Sequence, residues 1–276
     1  MAIAAPSVDT PDFAAIKAKQ NVTWSSGDYA KIGTTLQIVG ERLAEALELH
    51  PRSSVLDVAA GNGNATLAFA RRWNAVTSTD YVPALLERGR TRAEAEGLSV
   101  QFQVADAEAL PFDDARFDAV VSTFGVMFTP NQQQAAQELT RVCRSGGKIG
   151  LANWTPDGFI GQLFEALGQF VAPPPNVQPL TNWGSESWIS STFGDVATSA
   201  VIDSREFIFR YRSADHFLEV FRTYHGPVHK AFLSLDAPEQ AALETDIKSV
   251  IAQFNDATDS SMRVPAEYLE IVIEKA

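Results

Sequence analysis

Ser53 to Thr66, read as S-S-V-L-D-V-A-A-G-N-G-N-A-T, constrains the fold more than any other stretch of the chain. A short apolar run, Val55-Leu56-Asp57-Val58, ends in a small-residue turn, Ala59-Ala60-Gly61-Asn62-Gly63, and a segment of helical character follows from Ala65 to Trp73. Strand, tight turn and helix open a nucleotide-binding α/β unit, because the turn leaves free backbone N–H groups and a helix N-terminus beside a ligand. Gly61 and Gly63 let the backbone approach that ligand where a Cβ would obstruct it.

The ligand class follows from the residues around the turn. A dinucleotide fingerprint requires a third glycine, and Thr66 stands there instead. Asp57, inside the strand end, would repel a pyrophosphate and suits a ligand with a cationic amino-acid portion. S-adenosylmethionine has that character: an ammonium, a sulfonium and no phosphate. A second strand, Ala75 to Asp80, ends in an acid placed to accept hydrogen bonds from both ribose hydroxyls. A third, Val100 to Ala105, delivers Asp106 toward an adenine amino group, and a fourth, Phe117 to Ser122, delivers Ser122, Thr123 and Phe124. Open parallel sheets bind ligands outside the carboxyl ends of their strands, so these positions are expected to converge on one crevice.

The motifs V-L-D-V-A-A-G-N-G-N-A-T, T-D, V-A-D-A-E-A-L-P-F-D-D-A-R-F-D-A-V-V-S-T-F-G-V-M-F and R-V-C-R-S-G-G-K-I-G resemble, in order, those of class I S-adenosylmethionine-dependent methyltransferases. The similarity is strongest to the ubiquinone/menaquinone-biosynthesis-like small-molecule branch and covers roughly residues 25–154. The resemblance implies that Asp57, Gly61 and Gly63 line the methionine part of the cofactor, Asp80 holds the ribose, and Asp106 and Ala107 meet the adenine. Trp24, Ala59, Asn62, Tyr81, Ser122, Thr123 and Phe124 complete the expected cofactor set. Two departures stand out: Ala59 occupies a position where Gly is usual, and Ser145 one where the turn has Pro. The segment Trp24 to Tyr29 either folds over the cofactor, as in similar enzymes, or anchors a loop to the core through Trp24.

Helical spacing of Ile32, Leu36, Val39, Leu43 and Leu47 predicts one helix from Tyr29 to His50, after a shorter one from Asp9 to Gln20. Residues 53–154 alternate five strands with helices near 64–73, 82–96 and 131–143, which requires a parallel sheet covered on both faces. The fifth strand is expected from Lys148 to Trp154. Beyond it lie a helix from Gly158 to Val171, a β-like run from Thr198 to Tyr211, helices at 213–223, 227–234 and 237–256, and a closing strand from Tyr268 to Ile273. The expected fold is α/β: a Rossmann-like seven-stranded sheet, mostly parallel with an antiparallel last strand, helices on both faces and a helical cap. Residues 1–52 form the covering segment, 53–154 the cofactor core, and 155–276 complete the sheet and supply the acceptor-binding cap.

Twenty-two basic against 34 acidic residues give a net charge of -12, which repels phosphate backbones and anionic membranes and argues against a nucleic-acid substrate. The lone Cys143, read as a buried thiol on a helix, excludes an internal disulfide; with no leader-like start or spanning run, a cytoplasmic location is expected, as monomer or homodimer.

Methyl transfer is an in-line displacement that needs alignment and exclusion of water more than a dedicated catalytic side chain. No catalytic residue is singled out and no metal site is expected. Tyr29, Tyr224 and His225 are the candidates for the acceptor side; His225, at the Gly226-Pro227 break, reads either as a pocket base or as a helix-end histidine satisfied by backbone. The expected activity is S-adenosylmethionine-dependent methylation of a small, apolar or aromatic metabolite, with S-adenosylhomocysteine as product. A nicotinamide-dependent oxidoreductase and a non-catalytic S-adenosylmethionine-binding protein are the alternatives.

Overall fold

The computed structural model describes residues 11–276. Five parallel strands form the first half of the sheet: β1 (Ser54–Val58), β2 (Ala75–Asp80), β3 (Val100–Val104), β4 (Phe117–Thr123) and β5 (Cys143–Trp154). Two long strands, β6 (Ala197–Tyr211) and β7 (Met262–Lys275), complete it in the order β3-β2-β1-β4-β5-β7-β6. β7 runs antiparallel to both neighbours, so six strands point one way and the last in sequence points the other. This is the sheet expected from the sequence. β1 and β4 are almost wholly buried, as strands covered on both faces must be.

Register decides where the acids fall. Val58 pairs with Thr79, Asp57 with Val121, and Asp80 with Val104, so the carboxyl ends of β1, β2 and β4 lie side by side at one edge of the sheet.

The helices in chain order are α1 (Phe13–Trp24), α2 (Ala30–Gly33), α3 (Gln37–Leu47), α4 (Asn64–Arg71), α5 (Pro83–Ala95), α6 (Gln132–Val142), α7 (Phe159–Gly168), α8 (Glu186–Phe193), α9 (Ala214–Tyr224), α10 (Gly226–Ser234) and α11 (Ala237–Phe254). Their starts are written locally. The Asp12 carboxylate accepts from Ala15 N–H, Ser213 Oγ from His216 N–H, and Asp236 and Glu239 form a reciprocal capping box at α11. A compact core of Leu43, Leu47, Val55, Phe69 and Val121 packs α3 and α4 on the sheet. A second, larger core runs from Leu56, Val120 and Ile149 outward through Phe159, Phe209 and Phe217 to Ile247, binding the cap to the sheet without a break.

Besides α8, which forms where no helix was expected, and β7, which begins at Met262 rather than Tyr268, three elements differ from expectation. The helix expected from Tyr29 to His50 is interrupted by a 3-10 turn at Thr34–Leu36, where Thr34 and Thr35 hydroxyls donate back to the carbonyls of Ala30 and Ile32. Such back-bonding competes with the regular helix ladder. It then ends at Leu47, with Glu48 in the left-handed region at φ 47°, before Pro51 is reached. β5 begins at Cys143 rather than Lys148: Ser145-Gly146-Gly147 is an irregularity within the strand, with a register shift opposite Phe117/Ala119, and Cys143 is a buried strand residue, not a helical one. The N-terminal helix starts at Phe13 and reaches Trp24; the expected start at Asp9 lies outside the described residues.

Candidate functional site

The glycine turn after β1 is the floor of the site. Ala59, Gly61 and Gly63 all take positive φ, at 52°, 57° and 83°, which glycine adopts freely and alanine only with strain. Ala59 also lies so close to Gly125, after β4, that a Cβ there would collide with the Ala59 carbonyl and side chain. Two loops from adjacent strand ends are thereby pressed together. Gly63 ends the turn as the N-terminal boundary of α4.

The three expected acids have different surroundings. Asp80 is buried at the tip of β2, with one oxygen accepting from Gly61 N–H and the other from Val82 N–H, both at 2.8 Å. Burial raises its pKa to about 6, against the lowering effect of those backbone donors. Each oxygen keeps a lone pair for a ligand hydroxyl. Asp57 is fully buried beneath the turn: Oδ2 accepts from Thr66 N–H at 2.8 Å and Thr66 Oγ1 at 2.6 Å, and Oδ1 has no partner among the described residues. Burial raises its pKa to about 7 in spite of the Thr66 donors. Asp106 is part-exposed, holding Glu108 N–H on one oxygen and Lys17 Nζ of α1 on the other at 2.5 Å; Lys17 also reaches Glu108 at 2.9 Å. Asn21, one turn further along α1, donates to the Tyr81 carbonyl at 2.7 Å. The N-terminal helix is thus strapped across the carboxyl edge of the sheet.

Three adjoining cavities occupy that edge. The central one is lined by Trp24, Tyr29, Ala59, Gly61, Asn62, Asp80, Tyr81, Thr123 and Phe124 from the expected set. A second shares Ala59 and Tyr81 with it and holds Asp106 and Ala107. The third shares Trp24, Tyr29 and Phe124, and is closed by Trp154, Phe164, Phe221 and His225 of the cap side. Asp57, Gly63 and Ser122 line none of the three. Ser122 Oγ instead donates to the Val58 carbonyl at 2.8 Å and accepts from Val126 N–H, tying the ends of β1 and β4. Tyr224 is also absent from the walls; its carbonyl packs against Gly27. His225 is not satisfied by backbone: its ring lies in the aromatic wall and Nδ1 has no partner among the described residues.

Several lining residues were not singled out from the sequence. Gly125 and Phe128 lie in the S-T-F-G-V-M-F motif, after β4, a signal that could have found them, and Phe128 faces all three cavities. Lys17 sits on a helix with no periodic apolar face, and only its partners reveal its place. Burial raises the pKa of Tyr29 to about 12 and also raises that of Tyr81, beside Asp80, Asp106 and Glu108, so both are neutral hydrogen-bonding phenols. Among the described residues, no cluster of three or more His, Cys, Asp or Glu side chains could hold a metal ion, and no helix is long and apolar enough to cross a membrane.

The sheet order, the glycine turn and the acid-tipped β2 define a class I nucleotide-binding transferase fold. Residues 55–147 match the model of a methyltransferase domain. An uncharacterised protein of Mycobacterium tuberculosis strain H37Rv is 35% identical, covering 98% of this chain and 99% of that protein. The demethylmenaquinone methyltransferase of Deinococcus radiodurans is 38% identical over 47% of this chain and 55% of its own. Among solved structures, YcgJ of Bacillus subtilis superimposes with a TM-score of 0.57 at 18% identity, covering 88% of this chain and 99% of that one. Geranyl diphosphate methyltransferase in complex with S-adenosylmethionine does so with 0.53 at 18%, covering 97% and 96%. The chain belongs to the class I S-adenosylmethionine-dependent methyltransferase family and is a methyltransferase. That membership implies S-adenosylmethionine as the cofactor, in place of a nicotinamide.

Proposed function

We propose that the chain methylates a small, neutral, apolar or aromatic metabolite held between the sheet edge and the cap. The observation that carries this reading is the adjacency of the three cavities, which share Phe128 as a common wall and differ in charge: Asp80 lines the central one, Asp106 the second, and no charged side chain the third.

In this reading Asp106 and Ala107 meet the adenine and Asp80 takes the ribose hydroxyls. Ala59, Gly61 and Asn62 border the amino-acid portion, with Trp24, Tyr81, Thr123 and Phe124 enclosing it. Asp57 and Gly63 act from beneath, by fixing the turn and the start of α4, and Ser122 by tying β1 to β4. The residues fit the group: donors and acceptors line the central cavity, and the buried, half-satisfied Asp57 supplies negative potential under the place where a cationic ligand would lie. When bound, S-adenosylmethionine supplies a methyl group already activated by its sulfonium. The chain contributes orientation and a dry site. Trp24, Phe128 and Phe164 replace water on the acceptor side.

The third cavity has no charged side chain on its walls. A charged acceptor would lose its hydration there without compensation, which favours a neutral one. A net charge of -12 and a relative named for a demethylmenaquinone acceptor both agree with a small molecule over a nucleic acid. The division of labour only partly follows the chain: 53–154 binds the cofactor, while 155–276 shares the acceptor wall with Trp24, Tyr29, Phe124 and Phe128.

Calorimetric titration with S-adenosylhomocysteine tests the cofactor half of this reading. One-to-one binding is expected, abolished by Gly61→Val, whose β-branched side chain cannot take the positive φ of that position. No binding to the unaltered protein overturns the proposal.

A further inference from the structure

The aromatic wall of the third cavity contains one basic side chain, the His225 imidazole, and no described residue hydrogen-bonds its Nδ1. His225 joins α9 to α10 and is 6% exposed. Its main chain is satisfied: the backbone N–H donates to the Phe221 carbonyl at 2.9 Å and the carbonyl accepts from His229 N–H at 2.8 Å. The ring is not. Phe221, Trp24, Phe164 and Tyr29 surround it at 5.1, 5.6, 6.1 and 6.2 Å between centroids. Nδ1 is buried without a hydrogen-bond partner among the described residues.

Leaving a buried polar atom unpaired costs about 1–3 kcal/mol. Of the described residues that carry such an atom, His225 alone lines one of the three cavities, so a ligand seated there is placed to supply its missing partner. Its chemistry is narrow. Burial holds the imidazole pKa down at about 3, so the ring is neutral and keeps a lone pair. No charged side chain lines the cavity to balance a carboxylate or an ammonium, whereas π-faces of Trp24, Phe128, Phe164 and Phe221 suit a planar ring. Tyr29, with its pKa raised to about 12, can donate a hydrogen bond but is a poor proton acceptor, which leaves His225 as the group able to take a proton.

We infer that the methyl acceptor is an aromatic hydroxyl compound whose O–H donates to the His225 imidazole, and that His225 receives this proton as the oxygen is methylated. The O–H bond breaks with its electron pair left on oxygen, a new O–CH3 bond forms, and the methyl–sulfur bond breaks with its pair retained by sulfur. The proton passes to His225 as the sulfonium charge is lost, so the site carries one positive charge before and after the transfer, and then to solvent. This inference rests on the proposed reading of the third cavity as the acceptor site.

2-Naphthol and naphthalene, titrated into protein saturated with S-adenosylhomocysteine, separate the hydroxyl contact from ring burial. Trp24 and Trp154, which line the cavity, report binding through their fluorescence. The unaltered protein is expected to prefer 2-naphthol over naphthalene by about tenfold beyond their difference in water-to-octanol transfer, the value of one buried hydrogen bond. His225→Phe is expected to erase that preference and His225→Gln to keep part of it. With S-adenosylmethionine the product should be 2-methoxynaphthalene. His225→Gln should lower kcat by about a hundredfold for 2-naphthol and only a few-fold for 1-nitro-2-naphthol, which is ionised at mildly alkaline pH and needs no proton acceptor. A preference that survives in His225→Phe, methylation on ring carbon, no methylation of 2-naphthol, or equal losses for both naphthols overturns the inference. S-adenosylhomocysteine calorimetry on every variant keeps the outcomes apart: cofactor binding without the naphthol preference rejects this inference alone, and no cofactor binding rejects the reading beneath it.

Discussion

The two ends of the crevice are built from different materials. On the cofactor side the walls are backbone and carboxylate: the Ala59–Gly63 turn, Asp80 holding two main-chain N–H groups, and Asp106 tied to Glu108 and Lys17. All but Lys17 lie within one run of strands and turns. On the acceptor side the walls are side chains, mostly aromatic, brought from α1, α2, the loop after β4, β5, α7, β6 and α9. A ligand that never changes can be held by main-chain geometry, which substitutions alter little. A ligand that differs between relatives is held by side chains, each replaceable without disturbing the sheet. The same contrast fits a match to the methyltransferase model that is confined to residues 55–147.

The largest effect that tests this contrast is on the cofactor side. Asp80→Ala removes two charge-assisted hydrogen bonds from the turn and is expected to weaken S-adenosylhomocysteine binding by roughly a hundredfold, about 3 kcal/mol by calorimetry. A loss of only a few-fold would break the idea that carboxylates grip the cofactor. Next comes pH. Asp80 and Asp57 have pKa values raised to about 6 and about 7, so part of each is protonated in mildly acidic solution. A cationic ligand favours the ionised forms and releases those protons, so cofactor affinity should rise roughly tenfold from about pH 5 to pH 8 and then level off. Calorimetry in buffers of different ionisation enthalpy measures the released protons directly; a flat profile contradicts the linkage.

Phe164→Ala sharpens the comparison from the other side. Phe164 lines only the outer cavity, and its loss is expected to raise the acceptor KM by about tenfold while leaving S-adenosylhomocysteine affinity within about twofold. Equal damage to both would show that the two ends are not separable. The smallest effect belongs to the strap. Lys17→Met removes a part-exposed ion pair worth roughly 0.5–1 kcal/mol, so release of S-adenosylhomocysteine in stopped flow should quicken by about two- to fivefold.

The cofactor side was legible in the chain because its determinants are local. An acid at a strand end, two glycines after it and a helix behind them are neighbours in sequence, and the strand order of the family orders the rest. What local pattern could not show is which way a strand-end carboxylate turns. Asp57 points back to the start of α4 and Asp80 into the cavity, although both stand within one residue of the end of a buried strand. The break at Thr34–Leu36 was hidden because the apolar spacing of Ile32, Leu36 and Val39 continues across it. The acceptor wall was the least legible part: Trp24, Phe128, Phe164 and His225 meet only when four separate segments pack together. Each alone looks like an ordinary core residue.

β7 lies between β5 and β6 in the sheet although it follows both in the chain. During synthesis β6 therefore emerges with no strand to pair with, and its Phe207 and Phe209 stay uncovered until the cap helices and then β7 have left the ribosome. An unpaired strand of this kind invites association with other nascent chains. Removal of β7 would accordingly do more than trim an edge: it would detach β6 and leave the cap without its second anchor.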